Sequence, residues 1–311
     1  LPPFGFLLPA PFVLLLTWRW TGRIWFALQI PAVLLAVFGL LGLRLGIGRD
    51  SSAAQDAHAL RVVSYNVDNG GRGVSRVVAQ AMRMRPNIVL MQELDARVAR
   101  AMAQDFADWH TDFRDQFFVA SRFPILAIKE PPALEPRAGE GGAEREGLRN
   151  ARFIGYTLET PLGTIDVFNV HTTSPREGLE AVPGAGFTDQ IREGHLVPGP
   201  DTAKMRFNAT LRRRQVEALA AAARASQHPV ILAGDFNLPS LSRVLHDVLA
   251  DFDDGFIQAG RGFGYTFPTK LPFLRIDHVF TGRDLRVVDF DVGQTRASDH
   301  ACISAVITRR S

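Results

Sequence analysis

Two regimes of hydrophobic patterning divide the chain near residue 50. Before it, Phe4 to Trp18 is an apolar run of 15 residues and Ile24 to Leu43 an uncharged run of 20. The first acidic residue is Asp50, and the only charges ahead of it are Arg19, Arg23, Arg44 and Arg49. From Leu60 onward the pattern changes to short β-branched runs closed by turn residues, the mark of strands. It predicts strands over Leu60–Val67, Ile88–Gln92, Phe117–Ala120, Ile125–Lys129, Phe153–Glu159, Thr164–His171, Pro229–Ala233, Asp277–Phe280, Leu285–Asp291 and Ala301–Thr308. Helical spacing covers Val74–Arg85, Ala96–Asp105, Thr210–Ala225 and Ser242–Leu249. Many strands and few helices predict two packed sheets with helices outside. The segments Glu130–Arg149 and Thr172–Lys204 read as long irregular insertions.

The two early runs read as a transmembrane helical hairpin, because a bilayer core of ~30 Å takes about 20 helical residues. Trp18, Trp20 and Trp25 around Arg19 and Arg23 suit an interfacial loop. A cleaved signal has one short apolar region, so two runs with a basic loop fit it poorly. The expected organisation is a membrane anchor over 1–49, a polar linker over 50–59 and a catalytic domain over 60–311. The expected placement is multi-pass, with the bilayer contacted through residues 4–47. A cytoplasmic Arg19/Arg23 loop would leave the domain extracytoplasmic.

Composition sharpens this division. Mean hydropathy is +0.03 with 22% charged residues, and the early runs carry the apolar excess. The net charge is +3. Residues 1–58 hold 4 basic and 2 acidic side chains, which leaves 31 basic and 30 acidic beyond them. So balanced a domain lacks the electrostatic footprint of a dedicated polyanion binder. Arg212-Arg213-Arg214 reads as a solvated helix face. The single cysteine, Cys302, excludes an intrachain disulfide and any cysteine-rich metal site.

Polar residues recur at the ends of the predicted strands. Ser64-Tyr65-Asn66-Val67-Asp68 ends the first, Met91-Gln92-Glu93 the second, and Asn169-Val170-His171 a middle strand. Gly234-Asp235-Phe236-Asn237 follows Val230-Ile231-Leu232, Arg275-Ile276-Asp277-His278 opens a late strand, and Ser298-Asp299-His300 precedes the last. Each is a weak signal alone. In this order, from Leu60 to Ile307, the set resembles the endonuclease/exonuclease/phosphatase superfamily.

The resemblance implies a four-layer α/β sandwich that hydrolyses a phosphate ester with a divalent metal, Mg2+ or Mn2+. It makes Glu93 the principal metal ligand with Asn66 and Asp299 close by, and Asp68 a weaker candidate. It places Asp235 as acceptor and Asn237 as positioner around the attacking water, and His171 on the scissile phosphate. It pairs Asp277 with His300, leaving open whether His300 or Asp235 takes the proton. The chemistry is consistent, since hard cations held by oxygen ligands suit the charge of a phosphoryl transition state. One departure stands out: relatives of the deoxyribonuclease type pair the middle-strand histidine with a glutamate, and Phe117-Phe118-Val119-Ala120 offers none. His278 reads as a packing residue, and Tyr265-Thr266-Phe267 matches a motif that shapes the pocket in relatives. The substrate expected is a lipid headgroup or small phosphoester ahead of nucleic acid. A non-catalytic tethered protein is the contrasting reading, against which the complete residue set argues. No sequence feature calls for a protein partner.

Overall fold

The computed structural model describes residues 30–134, 151–175, 200–294 and 297–310. Its centre is two six-stranded mixed sheets packed face to face. One is ordered β13-β14-β2-β3-β5-β4: Leu285–Val292, Ile303–Arg309, Leu60–Asn66, Ile88–Gln92, Phe117–Ser121 and His110–Arg114. The other is ordered β10-β12-β9-β8-β7-β6: Asp253–Asp254, Asp277–Thr281, Val230–Asp235, Gly163–His171, Phe153–Thr160 and Ile125–Lys129.

The alternation of side chains along each strand builds the layers. In β2, Leu60 and Val62 face the opposing sheet, while Val63 and Tyr65 face helices Val74–Arg83 and Ala96–Asp105. In β8, Ile165 and Val167 face the opposing sheet, whereas Phe168 and Val170 pack with Val216 and Leu219 of helix Pro200–Arg224. Both faces of both sheets are therefore apolar, so these strands read as nearly continuous hydrophobic runs. Asp95 caps the helix that follows it by accepting from the amides of Arg97 and Val98. Arg213 pairs with Glu217, but Arg214 is buried, so the triple-arginine run is only partly a solvated face.

The expected membrane hairpin is corrected. No helix among the described residues is long and apolar enough to cross a membrane. This overturns the multi-pass placement and the topology built on it. The first apolar run and the Trp/Arg loop lie outside the described residues. In the second run the helix ends at Leu40, Leu41 is buried, and Gly42 takes φ +73°. The Tyr265 hydroxyl donates to the Leu41 carbonyl at 3.0 Å. Arg44–Leu45 (β1) then pairs antiparallel with Arg261–Gly262 (β11). The end of an apolar run long enough for a bilayer is thus spent on packing against the domain, an outcome that hydropathy alone does not distinguish. The stretch 50–59 follows along β13, where the Asp50 amide donates to Val288 O at 2.9 Å.

Candidate active site

Towards one end of the sandwich the space between the sheets turns from apolar to polar. Gln92 donates to Ser64 Oγ at 3.1 Å and to Asn169 Oδ1 at 2.7 Å, and Asn169 donates to the carbonyls of Met91 and Phe118. These hydrogen bonds satisfy the Gln92 side-chain NH2 and the Asn169 amide across the sheets, while Gln92 Oε1 stays buried without a partner. They also fix the spacing between the strand ends that carry the next residues outward.

Register then assembles the site. β8 and β9 run parallel with His171 opposite Asp235, and β12 runs antiparallel to β9 with Asp277 opposite Asp235. Three side chains from three strands therefore stand in a row on one face. Asn66 and Glu93 come from the parallel ends of β2 and β3, with Glu93 one residue beyond its strand. The Asn66 side-chain amide donates to Glu93 Oε1 at 2.9 Å and to Asp235 Oδ2 at 3.0 Å, tying the two sheets together. Glu93 and Asn237 both take positive φ, +59° and +49°. Such backbone in non-glycine residues costs about 1–3 kcal/mol and clusters at functional sites.

His300 donates from Nδ1 to the Asp277 carboxylate at 3.0 Å, and its Nε2 lies 3.6 Å from Asp235 Oδ2. Burial opposes its charge, yet Asp277, Asp235 and Asp299 outweigh burial and raise its pKa to about 10. Burial drives the Asp235 carboxyl upward and Asp277 adds to this, against the pull of His300 and His171. Burial also disfavours charge on Glu93, but the hydrogen bond and charge of His171, with Asn66 and His300, lower its pKa to about 2. Asp68 is raised by burial and by its neighbours Asp299 and Glu93. Asn237 donates from its amide side chain to Thr172 O at 2.8 Å, and its backbone amide donates to Asp235 Oδ1.

The loop carrying Asp299 and His300 is held from two sides. Arg72 donates to Ser298 O at 2.8 Å, the Thr269 hydroxyl donates to the same carbonyl, and the Thr269 amide donates to Asp299 O. Thr266 accepts from the amides of Ile276 and Asp277, and its carbonyl takes the Ala301 amide. The Thr-aromatic motif thus positions both members of the Asp277–His300 pair, and Phe267 places its ring 4.7 Å from that of His300.

Glu93, Asp235, Asn237, Asp299 and His300, with Asp68, line one cleft of about 500 Å³. His171 joins it from below: its Nε2 lies 3.2 Å from Glu93 Oε1. Every residue expected at the site is therefore in or against this cleft. His278 is fully buried instead, between Arg275 and the Leu238 carbonyl, beside the Arg275–Asp254 ion pair. One residue escaped the sequence reading. Gln116 presents Oε1 to His171 Nδ1 at 2.5 Å from the turn before β5. The resemblance implies an acid at that place, whereas a carboxamide oxygen accepts the same hydrogen bond.

The donor set suits a divalent cation. Glu93, Asp68 and Asp299 crowd one cleft, and Glu93, His171 and Asp235 place ligand atoms within 4.8 Å of one another. His171 Nε2 is buried and faces the carboxylates of Glu93 at 3.2 Å and Asp235 at 3.8 Å. Crowded carboxylates of this kind are stabilised by a hard cation. The profile of the endonuclease/exonuclease/phosphatase family matches residues 63–300. The chain belongs to that family. It is accordingly a metal-dependent phosphoric ester hydrolase.

No curated protein matches the sequence itself. Solved structures share the family fold at low identity. A family member from Bacteroides vulgatus superposes with a TM-score of 0.59 at 14% identity, over 81% of this chain and 99% of that one. D. rerio TDP2, in complex with a single-strand DNA product, gives 0.55 at 16%, covering 81% and 100%. A mannosyl-6-phosphatase from Bacteroides thetaiotaomicron gives 0.55 at 17%, covering 80% and 99%.

Proposed function

We propose that this family member hydrolyses a lipid or small-molecule phosphoester, with Glu93, Asn66 and Asp299 as the metal-binding group. The observation carrying the catalytic reading is the convergence of Asp235, Asn237, His171 and the Asp277–His300 pair on one cleft. Mg2+ or Mn2+ held at Glu93, with Asn66 and Asp299 alongside, would supply charge neutralisation for the phosphate's non-bridging oxygens.

The protein's own groups do the rest. His300, kept cationic by Asp277, faces the phosphate as a charged donor and stabilises negative charge developing there. Asp235, whose carboxyl burial drives upward, accepts the proton of the attacking water. Asn237, fixed by its bond to Thr172 O, orients that water. His171, with Nδ1 tied to Gln116, holds Nε2 at the floor of the cleft.

The balanced charge beyond residue 58 and the apolar wall of Phe267, Leu274 and Ile276 favour a compact or amphiphilic ester over a polyanion. The test is turnover of bis-p-nitrophenyl phosphate with Mn2+, with Glu93→Ala and His300→Ala alongside. Absence of metal-dependent turnover, or equal turnover in all three proteins, overturns the catalytic reading. Nicking of supercoiled DNA faster than cleavage of phospholipid at equal metal would reassign the substrate to nucleic acid.

A further inference from the structure

Beside the catalytic cleft runs a second groove of about 290 Å³ that the chemistry above leaves unused. Leu40 and Leu41 form one wall, and Leu241, Ile257, Phe263 and Phe273 belong to the rest of its lining. Pro239 and Leu274 line both the groove and the catalytic cleft, so the two are continuous. Its apolar side chains are also unusually open: Leu241 is 63% and Ile257 54% exposed. Of the exposed large hydrophobics among the described residues, Leu40, Leu241, Ile257 and Phe263 line this one groove. Scattered single exposed hydrophobics need no explanation, but a contiguous set marks a binding surface.

From this we infer that the groove is a subsite for the alkyl part of the substrate, an amphiphilic phosphoester whose phosphate sits between Glu93 and His300. The inference rests on the phosphoesterase reading and narrows its substrate class. Continuity with the cleft decides the occupant. A chain lying along Leu274 and Pro239 enters the groove without leaving apolar surface, while its phosphate stays among the polar groups of the cleft. The end of the N-terminal apolar run closes the wall at Leu40 and Leu41, which gives that segment a part in substrate selection.

The test uses the full chain, Mn2+ and a series of p-nitrophenyl alkyl phosphodiesters, methyl to hexyl, all below their critical micelle concentrations. Each methylene seated against apolar surface is expected to raise kcat/KM by up to about threefold to fourfold. The wild-type hexyl-to-methyl ratio should therefore reach at least about tenfold. In Leu241→Ser/Ile257→Ser that ratio should collapse towards one, whereas Leu126→Ser, on the far edge strand, should retain the wild-type ratio. Because each ratio is taken within one protein, partial loss of folded enzyme cancels. A flat wild-type series overturns the subsite, and so does a chain-length preference that survives the double substitution. No metal-dependent turnover of even the methyl ester overturns the phosphoesterase reading itself, and the subsite with it.

Discussion

Gln116 holds His171 through a 2.5 Å contact between Oε1 and Nδ1, so the imidazole must donate there and turn Nε2 towards Glu93 and Asp235. A neutral carboxamide thus orients the imidazole, where the family resemblance implies a carboxylate. Removing an orienting partner of this kind costs about 10-fold to 100-fold in activity. Gln116→Leu should lose that much kcat/KM on bis-p-nitrophenyl phosphate. Gln116→Glu, which accepts the same hydrogen bond, should lose far less, and equal losses in the two variants would contradict the orienting role.

The Asp277–His300 pair, proposed above as part of the catalytic machinery, also carries a pH-dependent part of stability. Its histidine pKa is raised in the folded state to about 10 from 6.5. The stabilisation is therefore fully present below about pH 6.5 and lost as pH rises through 10. Asp277→Asn should be less stable than wild type in urea at pH 7, and the gap should narrow by pH 10. In turnover, His300→Ala should cost about 10²-fold to 10³-fold, the loss expected on removing one charge-stabilising donor.

Glu93→Gln preserves volume and removes the charge expected to hold the metal. Mn2+ titration calorimetry should show at least about tenfold weaker binding. The metal-induced rise in melting temperature should shrink in parallel, since stabilisation by a ligand follows its affinity. An unchanged titration would move the metal site away from Glu93.

Gly234 sits where a Cβ would lie 1.9 Å from the Val170 carbonyl oxygen. Gly234→Ala must push β8 and β9 apart at the step before the His171–Asp235 register pair. Overpacking of this kind costs about 1–3 kcal/mol. Chemical denaturation should show that loss, and a smaller one would mean the strands separate without cost.

Arg275 spans Asp254 with two hydrogen bonds, at 2.9 and 2.8 Å, and contacts His278. Burial disfavours charge on Asp254, but the Arg275 guanidinium and a hydrogen bond with His278 hold its carboxyl well below the usual range. Breaking a buried pair from one side typically costs about 3–5 kcal/mol. Arg275→Ala should approach that loss in urea, whereas Arg310→Ala, at an exposed pair with Asp253, should stay within about 1 kcal/mol.

The sequence by itself determined most of the domain. Short β-branched runs outnumbering helical stretches name two packed sheets, because the central strands must bury both faces. The ordered strand-end residues carry the family resemblance and, through it, the expected site; the structure brings those residues together around one cleft. What the tertiary structure decided is relational. His171, Asp235 and Asp277 become neighbours through strand register, which no local pattern encodes. Glu93 reaches the cleft through left-handed backbone that its residue type does not announce, whereas Asn237 is a residue that tolerates that conformation. Gln116 enters only because a turn before β5 brings it under His171. The apolar run ending at Leu43 was legible as hydrophobic, but its partner was not. A buried leucine gains from leaving water whether lipid or protein covers it, and only the three-dimensional contacts of Leu41 and the pairing of Arg44–Leu45 distinguish the two.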